Sequence, residues 1–224
     1  MKFPRTLKGF LVLAVVLVLG ATALVTLALV VRYSFAVNTL SRGIGQTQFY
    51  GADGHAWFPL EEHRRDVPLN RISPHLQHAV VAIEDHRFHS HFGIDPIGIG
   101  RAFYQSVLGD SQSQQGGSTI TQQYVKLTYL TSERSLERKL KEAVLAVKLE
   151  GELDKRDILT RYLNEIYFGR GAYGVEAASR EYFGIGVENL QLHQAAYLAG
   201  LIRSPDSADA ARDPEEATRR RDTV

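Results

Sequence analysis

An all-α domain behind a single apolar anchor segment is the architecture this chain predicts, and three observations predict it. Residues 10–31 form an apolar run broken only by Gly20, Thr22 and Thr26. From residue 73 onward apolar residues recur at helical spacing, several runs following a good capping residue. No convincing strand alternation follows Ile72, and there is no internal repeat.

At 224 residues the chain has room for one domain and a short extra segment. A net charge of only +1 gives no bulk attraction to nucleic acid, so a nucleic-acid partner is not expected. With no cysteine, disulfides, zinc-thiolate sites and cysteine nucleophiles are excluded, although an uncrosslinked exported protein is not.

Residues 1–9 read as a cytoplasmic tail and 10–31 as a signal anchor, since about 20 apolar residues cross a hydrocarbon core. Lys2, Arg5 and Lys8 precede the run and only Arg32 follows it directly, which keeps the amino terminus inside and the rest outside. A cleaved signal peptide is the rival, with Ala21-Thr22-Ala23 as its cleavage site. Its apolar core usually spans about 7–15 residues, and cleavage here leaves residues 24–31 as an apolar stub.

Residues 32–71 read as a juxtamembrane connector with scattered glycines and a solvated charge run. Ser73-Pro74 begins a helix as cap and first residue; Leu76, Val80 and Ile83 share its inner face and Glu84 lies near its end. Residues 93–113 carry Gly, Pro and a Ser/Gln tract, which suggests a mobile crossing. Thr119 with Gln122 fits a capping box for the next helix, with Ile120, Tyr124 and Leu127 on one side and Thr119, Gln123 and Lys126 on another. A long helix capped by Ser132 runs through Glu150, apolar around most of its circumference and therefore expected at the centre. Asp154 caps a helix with Ile158, Leu159, Tyr162, Leu163 and Ile166 inward; Gly169, Gly171 and Gly174 mark a loop; residues 190–201 form another apolar helix.

Read locally, the chemistry-bearing residues leave alternatives open. Arg138 and Lys139 lie four and three positions before Glu142, which fits either an internal ion pair or the polar wall of a cleft for a charged substrate. The turn Gly116-Gly117-Ser118-Thr119 opens a helix whose amide groups attract anions, and Lys126 extends its stripe, but such turns commonly only begin helices. Glu84-Asp85 is either a solvated acidic end or a catalytic pair. His86, His89 and His91 lack the HExxH spacing of a zinc site, so a histidine-bound zinc is not favoured.

Five motifs in order narrow these alternatives. They are Glu84-Asp85-x-x-Phe88-x-x-His91-x-Gly93; Gly117-Ser118-Thr119-Ile120-Thr121-Gln122-Gln123-x-x-Lys126; Arg138-Lys139-x-x-Glu142; Lys155-x-x-Ile158-Leu159-x-x-Tyr162-Leu163-Asn164; and Gly174 to Ser179 with Tyr182-Phe183-Gly184. The chain resembles the peptidoglycan glycosyltransferase family, the transglycosylase domain of class A penicillin-binding proteins and of monofunctional transglycosylases. The motifs span about residues 72–205, the expected glycosyltransferase domain, with 206–224 left as a C-terminal extension or the start of a linker. Ile185, where the family often has lysine, and Gln194, where many members have glutamate, depart from the pattern. No Ser-x-x-Lys motif of the penicillin-binding transpeptidases occurs.

The resemblance implies a lysozyme-like helical domain that joins lipid II units into glycan strands with release of undecaprenyl pyrophosphate. It implies Glu84 as general base and Glu142 as a second catalytic acid placing substrate or metal near the leaving phosphate. It implies Lys126, Arg138 and Lys139 against the pyrophosphate, with Ser118 and Thr119 helping; Asp85, Gln123 and Asn164 complete the substrate-binding set. The partners implied are lipid II, the growing lipid-linked glycan, the bacterial cell membrane and, beyond them, cell-wall or division proteins. No cofactor is required outright, and a divalent cation (Mg or Mn) is compatible. The rivals are a lysozyme-like lytic transglycosylase and a non-catalytic membrane scaffold for cell-wall assembly.

Overall fold

A computed structural model of the chain describes residues 16–17, 20–21, 24–25, 27–28, 31, 48–50, 53–59, 66–108, 117–129 and 135–224. Of the expected anchor, Val16, Leu17, Gly20, Ala21, Leu24, Val25, Leu27, Ala28 and Val31 are helical and exposed, and its other residues lie outside the described set. Among the described residues no helix is long and apolar enough to cross a membrane. A two-stranded antiparallel ribbon occupies the connector: β1 (Gln48–Tyr50) pairs with β2 (Ala56–Pro59), Phe49 opposite Phe58, with a register shift after Phe49.

Everything after residue 66 in the described set is helix, turn or loop. In chain order the helices are α1 (Pro74–Asp85), α2 (Pro96–Leu108), α3 (Ile120–Tyr129), α4 (Leu136–Glu152), α5 (Lys155–Glu165), α6 (Val175–Phe183), α7 (Leu192–Leu201) and α8 (Pro214–Thr223). Helix α3 packs against α4 and α5, α1 packs against α7, and α8 covers α7. The core joins Leu76 and Val80 of α1, Ile120 and Tyr124 of α3, Leu145 and Leu149 of α4, Ile158, Tyr162 and Leu163 of α5, and Leu198 of α7. Each such large side chain, fully buried, contributes about 1.5–3 kcal/mol of transfer free energy, which is what fixes the short helices in place.

Several local readings hold. Asp154 caps α5, its carboxylate accepting from Asp157 N at 2.8 Å, and Ile158, Leu159, Tyr162, Leu163 and Ile166 are buried. Thr119 and Gln122 form the reciprocal cap of α3 at 3.0 and 3.1 Å. Gln194 completes a capping box with Gln191 at the start of α7, a task glutamine performs as well as glutamate. Ile185, the other departure, packs against the core.

Others need correction. Residues 96–108, read as a mobile crossing, form α2: Asp95 accepts from Ile97 N at 3.1 Å and Pro96 takes the first helical position, which overrides Gly98 and Gly100. The cap of α4 is Ser135, accepting from Arg138 N at 3.1 Å, whereas Ser132 lies outside the described residues. Helix α4 is not buried all round, since Leu140 is exposed while Glu142, Leu145, Ala146 and Leu149 face inward; Leu127 of α3 is exposed as well. Ser73 does not cap α1 with its side chain; its hydroxyl donates to Leu190 O at 3.0 Å and its amide to Val187 O at 3.2 Å, tying the helix start to the turn before α7. Residues 206–224 pack on the domain through α8 and the buried Ala208, Asp209 and Ala217.

Candidate active site

Glu84 sits in the last turn of α1 with its side chain only 2% exposed. Carrying a carboxylate there requires partners. Gln123 of α3 supplies one, donating from Nε2 to Oε2 at 2.7 Å. Arg203, just past α7, supplies the other, donating from Nε to Oε1 at 3.1 Å. Gln123 is itself aimed by Tyr162, whose hydroxyl donates to its Oε1 at 3.0 Å. Burial, and then the nearby Glu84 charge, push the Tyr162 hydroxyl well above its ordinary value, so it stays a protonated donor.

Asp85 has protein partners on both oxygens. His91 Nε2 bridges them at 3.0 and 2.9 Å, and Ile120 N donates to Oδ2 at 3.0 Å. The residue beside Glu84 thus anchors the first amide of α3 to the end of α1. Thr119 adds a second tie, its hydroxyl donating to Gly93 O at 2.7 Å. Gly93 has φ +79, and a Cβ there would stand 2.7 Å from the Ala146 carbonyl and Val147 N. Only glycine lets this turn lie flat on α4.

Glu84, Asp85, His86, Asp95, Gly98, Arg101, Gly117, Ser118 and Thr119 line one narrow cavity. Glu84 and Asp85 at the end of α1 therefore border the same cavity as the start of α3, a cavity with about the room of one water molecule. From the rim, Ser118 Oγ accepts from Lys139 Nζ at 2.7 Å, and the same ammonium pairs with Glu142, buried at 2% exposure. Lys139 thus links the helix-start turn to the second predicted acid. Arg138 Nε is buried without a hydrogen-bond partner. Lys126 is exposed. Neither Lys126 nor Arg138 lines the cavity itself.

Asn164 is bonded within the protein. Its Nδ2 donates to Val67 O and Thr160 O, both at 2.9 Å, and its Oδ1 accepts from Val67 N at 3.0 Å. These bonds use both donors and pin the connector's exit to α5. Behind the cavity, Thr121 donates to Glu150 at 2.5 Å, and Lys155 pairs with Glu150 while lying over the Phe88 ring. Sequence reasoning missed two cations. Arg101 lies within the segment read as a mobile crossing, and Arg203 lies 119 positions from Glu84, beyond any local pattern.

The arrangement offers a buried carboxylate accepting on both oxygens, as an ionised acceptor-only group does. Beside it lie the start of α3, whose Thr119, Ile120 and Gln122 amides have protein acceptors, and a lysine bonded to Ser118. Glu142 already has the Lys139 ammonium as its countercharge. A divalent cation takes about six or more oxygen ligands, and no group of three metal-ligating side chains occurs among the described residues. These side chains build no all-protein metal cage.

The family model described as "Transglycosylase" matches residues 53–224. The chain is 46% identical over 179 residues to penicillin-binding protein 1A of Aquifex aeolicus, which covers 80% of this chain and 24% of that one. It is 43% identical over 178 residues to the protein of that name from Escherichia coli, covering 79% of this chain and 21% of the other. With penicillin-binding protein 1A of Vibrio cholerae it shares 38% over 228 residues, 100% of this chain and 27% of the other. The chain thus spans about a quarter of the length of these relatives.

Proposed function

Because this chain belongs to the transglycosylase family, we propose that it is a peptidoglycan glycosyltransferase that polymerises lipid II at the outer face of the cell membrane. The observation that carries this reading is that Glu84, at the end of α1, and the Ser118–Thr119 turn border one cavity, with Lys139 bonded to Ser118. Glu84 takes the proton from the 4-hydroxyl of a lipid II N-acetylglucosamine as that oxygen bonds to C1 of the growing strand's terminal N-acetylmuramic acid. The C1–phosphate bond breaks, undecaprenyl pyrophosphate departs with the electron pair, and the α-linkage becomes β. The charges of Lys139, Arg138 and Lys126 stabilise the negative charge growing on the pyrophosphate. Glu142 holds Lys139 in place, and Gln123 orients Glu84. Asp85 and Asn164 act one step back: Asp85 builds the α1–α3 junction and Asn164 clamps Val67.

Exposed Phe92, Ile97, Ile99 and Tyr104 form the part of the domain that meets lipid, beside the anchor expected over residues 10–31. The position of Ile97 and Ile99 on α2 rather than in the core supports this over ordinary packing. A protein starting at Arg32 is expected to float with liposomes and to lose that binding when these four residues are changed to serine. Failure of the shortened protein to bind at all sinks the lipid-facing surface.

Glycan cleavage is separated from synthesis by the products. Incubation with labelled lipid II is expected to yield long strands and free undecaprenyl pyrophosphate. Soluble muropeptides released from purified sacculi, with no pyrophosphate from lipid II, would overturn the proposal.

A further inference from the structure

The turn after α7 carries Arg203 into the site from the far end of the sequence. Its Nε donates to Glu84 Oε1 at 3.1 Å and its Nη2 to the Ile83 carbonyl at 3.3 Å. One guanidinium therefore grips both the carboxylate and the backbone of the preceding residue, which fixes the carboxylate relative to the end of α1. Gln123 holds the other oxygen. A carboxylate has about four lone-pair sites; these contacts engage two and leave acceptor capacity for an incoming hydroxyl.

The turn itself is braced. Arg170 pairs with the buried Asp209 carboxylate, donating from Nε at 2.7 Å. Arg220 of α8 donates to Gly200 O at 3.4 Å, and a Cβ on Gly200 would stand 3.2 Å from the Arg220 side chain. Ser204 N and Ala208 N close successive turns onto Leu201 O and Ser204 O, both at 3.0 Å. The Arg203 side chain is 26% exposed, so it is neither a core group nor a loose surface one.

We propose that Arg203 is a positioning residue for the reaction: it sets the plane of the Glu84 carboxylate, and residues 202–224 are the brace that holds it there. The inference rests on the reading of Glu84 as the base. The planar fork suits the task, because its donors leave in fixed directions, whereas the three donors of an ammonium rotate on a flexible stem. Misplacing a reacting group by about 1 Å can cost about 100-fold in rate.

The test uses the full chain in detergent with labelled lipid II, comparing wild type, Arg203→Gln, Arg203→Lys and Glu84→Gln for kcat, KM and thermal midpoint. Arg203→Gln is expected to lower kcat by about 10- to 100-fold with KM changed less than about threefold, and Arg203→Lys to recover part of the loss. Wild-type kcat in Arg203→Gln overturns the inference, as does a fall in kcat matched by a rise in KM and a lowered midpoint, the mark of a purely structural pair. If Arg203→Gln does not fold, Arg203→Lys decides: reduced kcat at an unchanged midpoint supports positioning, and wild-type kcat overturns it. Wild-type turnover in Glu84→Gln removes the base reading itself. An inactive Glu84→Gln beside a fully active Arg203→Gln removes only the role of Arg203.

Discussion

Replacing Asp85 with alanine should cost more in stability than in chemistry. The carboxylate caps the first amide of α3, at Ile120, and holds His91 through both oxygens, all from a side chain only 4% exposed. Loss of a capping acceptor costs about 1–2 kcal/mol. Loss of a hydrogen bond from His91 to a charged group costs about 1.5–3 kcal/mol more. The sum, about 2.5–5 kcal/mol, corresponds to roughly 10 °C in melting midpoint for a domain of this size. Circular dichroism melts of Asp85→Ala in detergent would read this drop. Asp85→Asn, which keeps one acceptor oxygen, should fall between the two. A wild-type midpoint combined with a raised KM for lipid II would refute the reasoning and return Asp85 to direct substrate contact.

Two further outcomes follow from the same geometry. Gly93→Ala places a methyl 2.7 Å from the α4 backbone at φ +79, so it should destabilise the protein by about 2–4 kcal/mol, read in the same melts; an unchanged midpoint would show that the turn does not sit against α4. The Arg170 guanidinium holds the Asp209 carboxyl below its ordinary value of 3.8. The stability this contributes is present above pH 3.8 and is lost as pH falls through the lower, folded-state value. Acid melts of Arg170→Gln should therefore converge on wild type at low pH and diverge toward neutrality, and parallel curves throughout would contradict the pair's contribution.

Some of the chemistry confined to one turn was readable. The caps at Thr119 and Asp154, the inward face of α5 and the glycine loop before α6 all depend on residues within a few positions of one another. Helix α2 was misread because Gly98 and Gly100 outweighed the Asp95-Pro96 start beside them. The circumference of α4 was misjudged because apolar periodicity does not say which flank water reaches, and Leu140 stands in water. The identities of Glu84 and Glu142 came from motif resemblance, since an acid at a helix end is ambiguous by itself. What no local pattern could give was who faces whom: Arg203 against Glu84, Tyr162 behind Gln123, and Asn164 bound to Val67 across 97 positions. Those pairings exist only once α7 lies on α1 and α3 lies on α5.

Substrate binding and turnover measured together on Glu84→Gln test the central claim most directly. The amide keeps the side chain's size and an acceptor oxygen but cannot take the proton, so lipid II affinity should stay near wild type while polymerisation falls by about 100-fold or more. Turnover at the wild-type rate would contradict the account, because the Glu84 carboxylate would then not be the base.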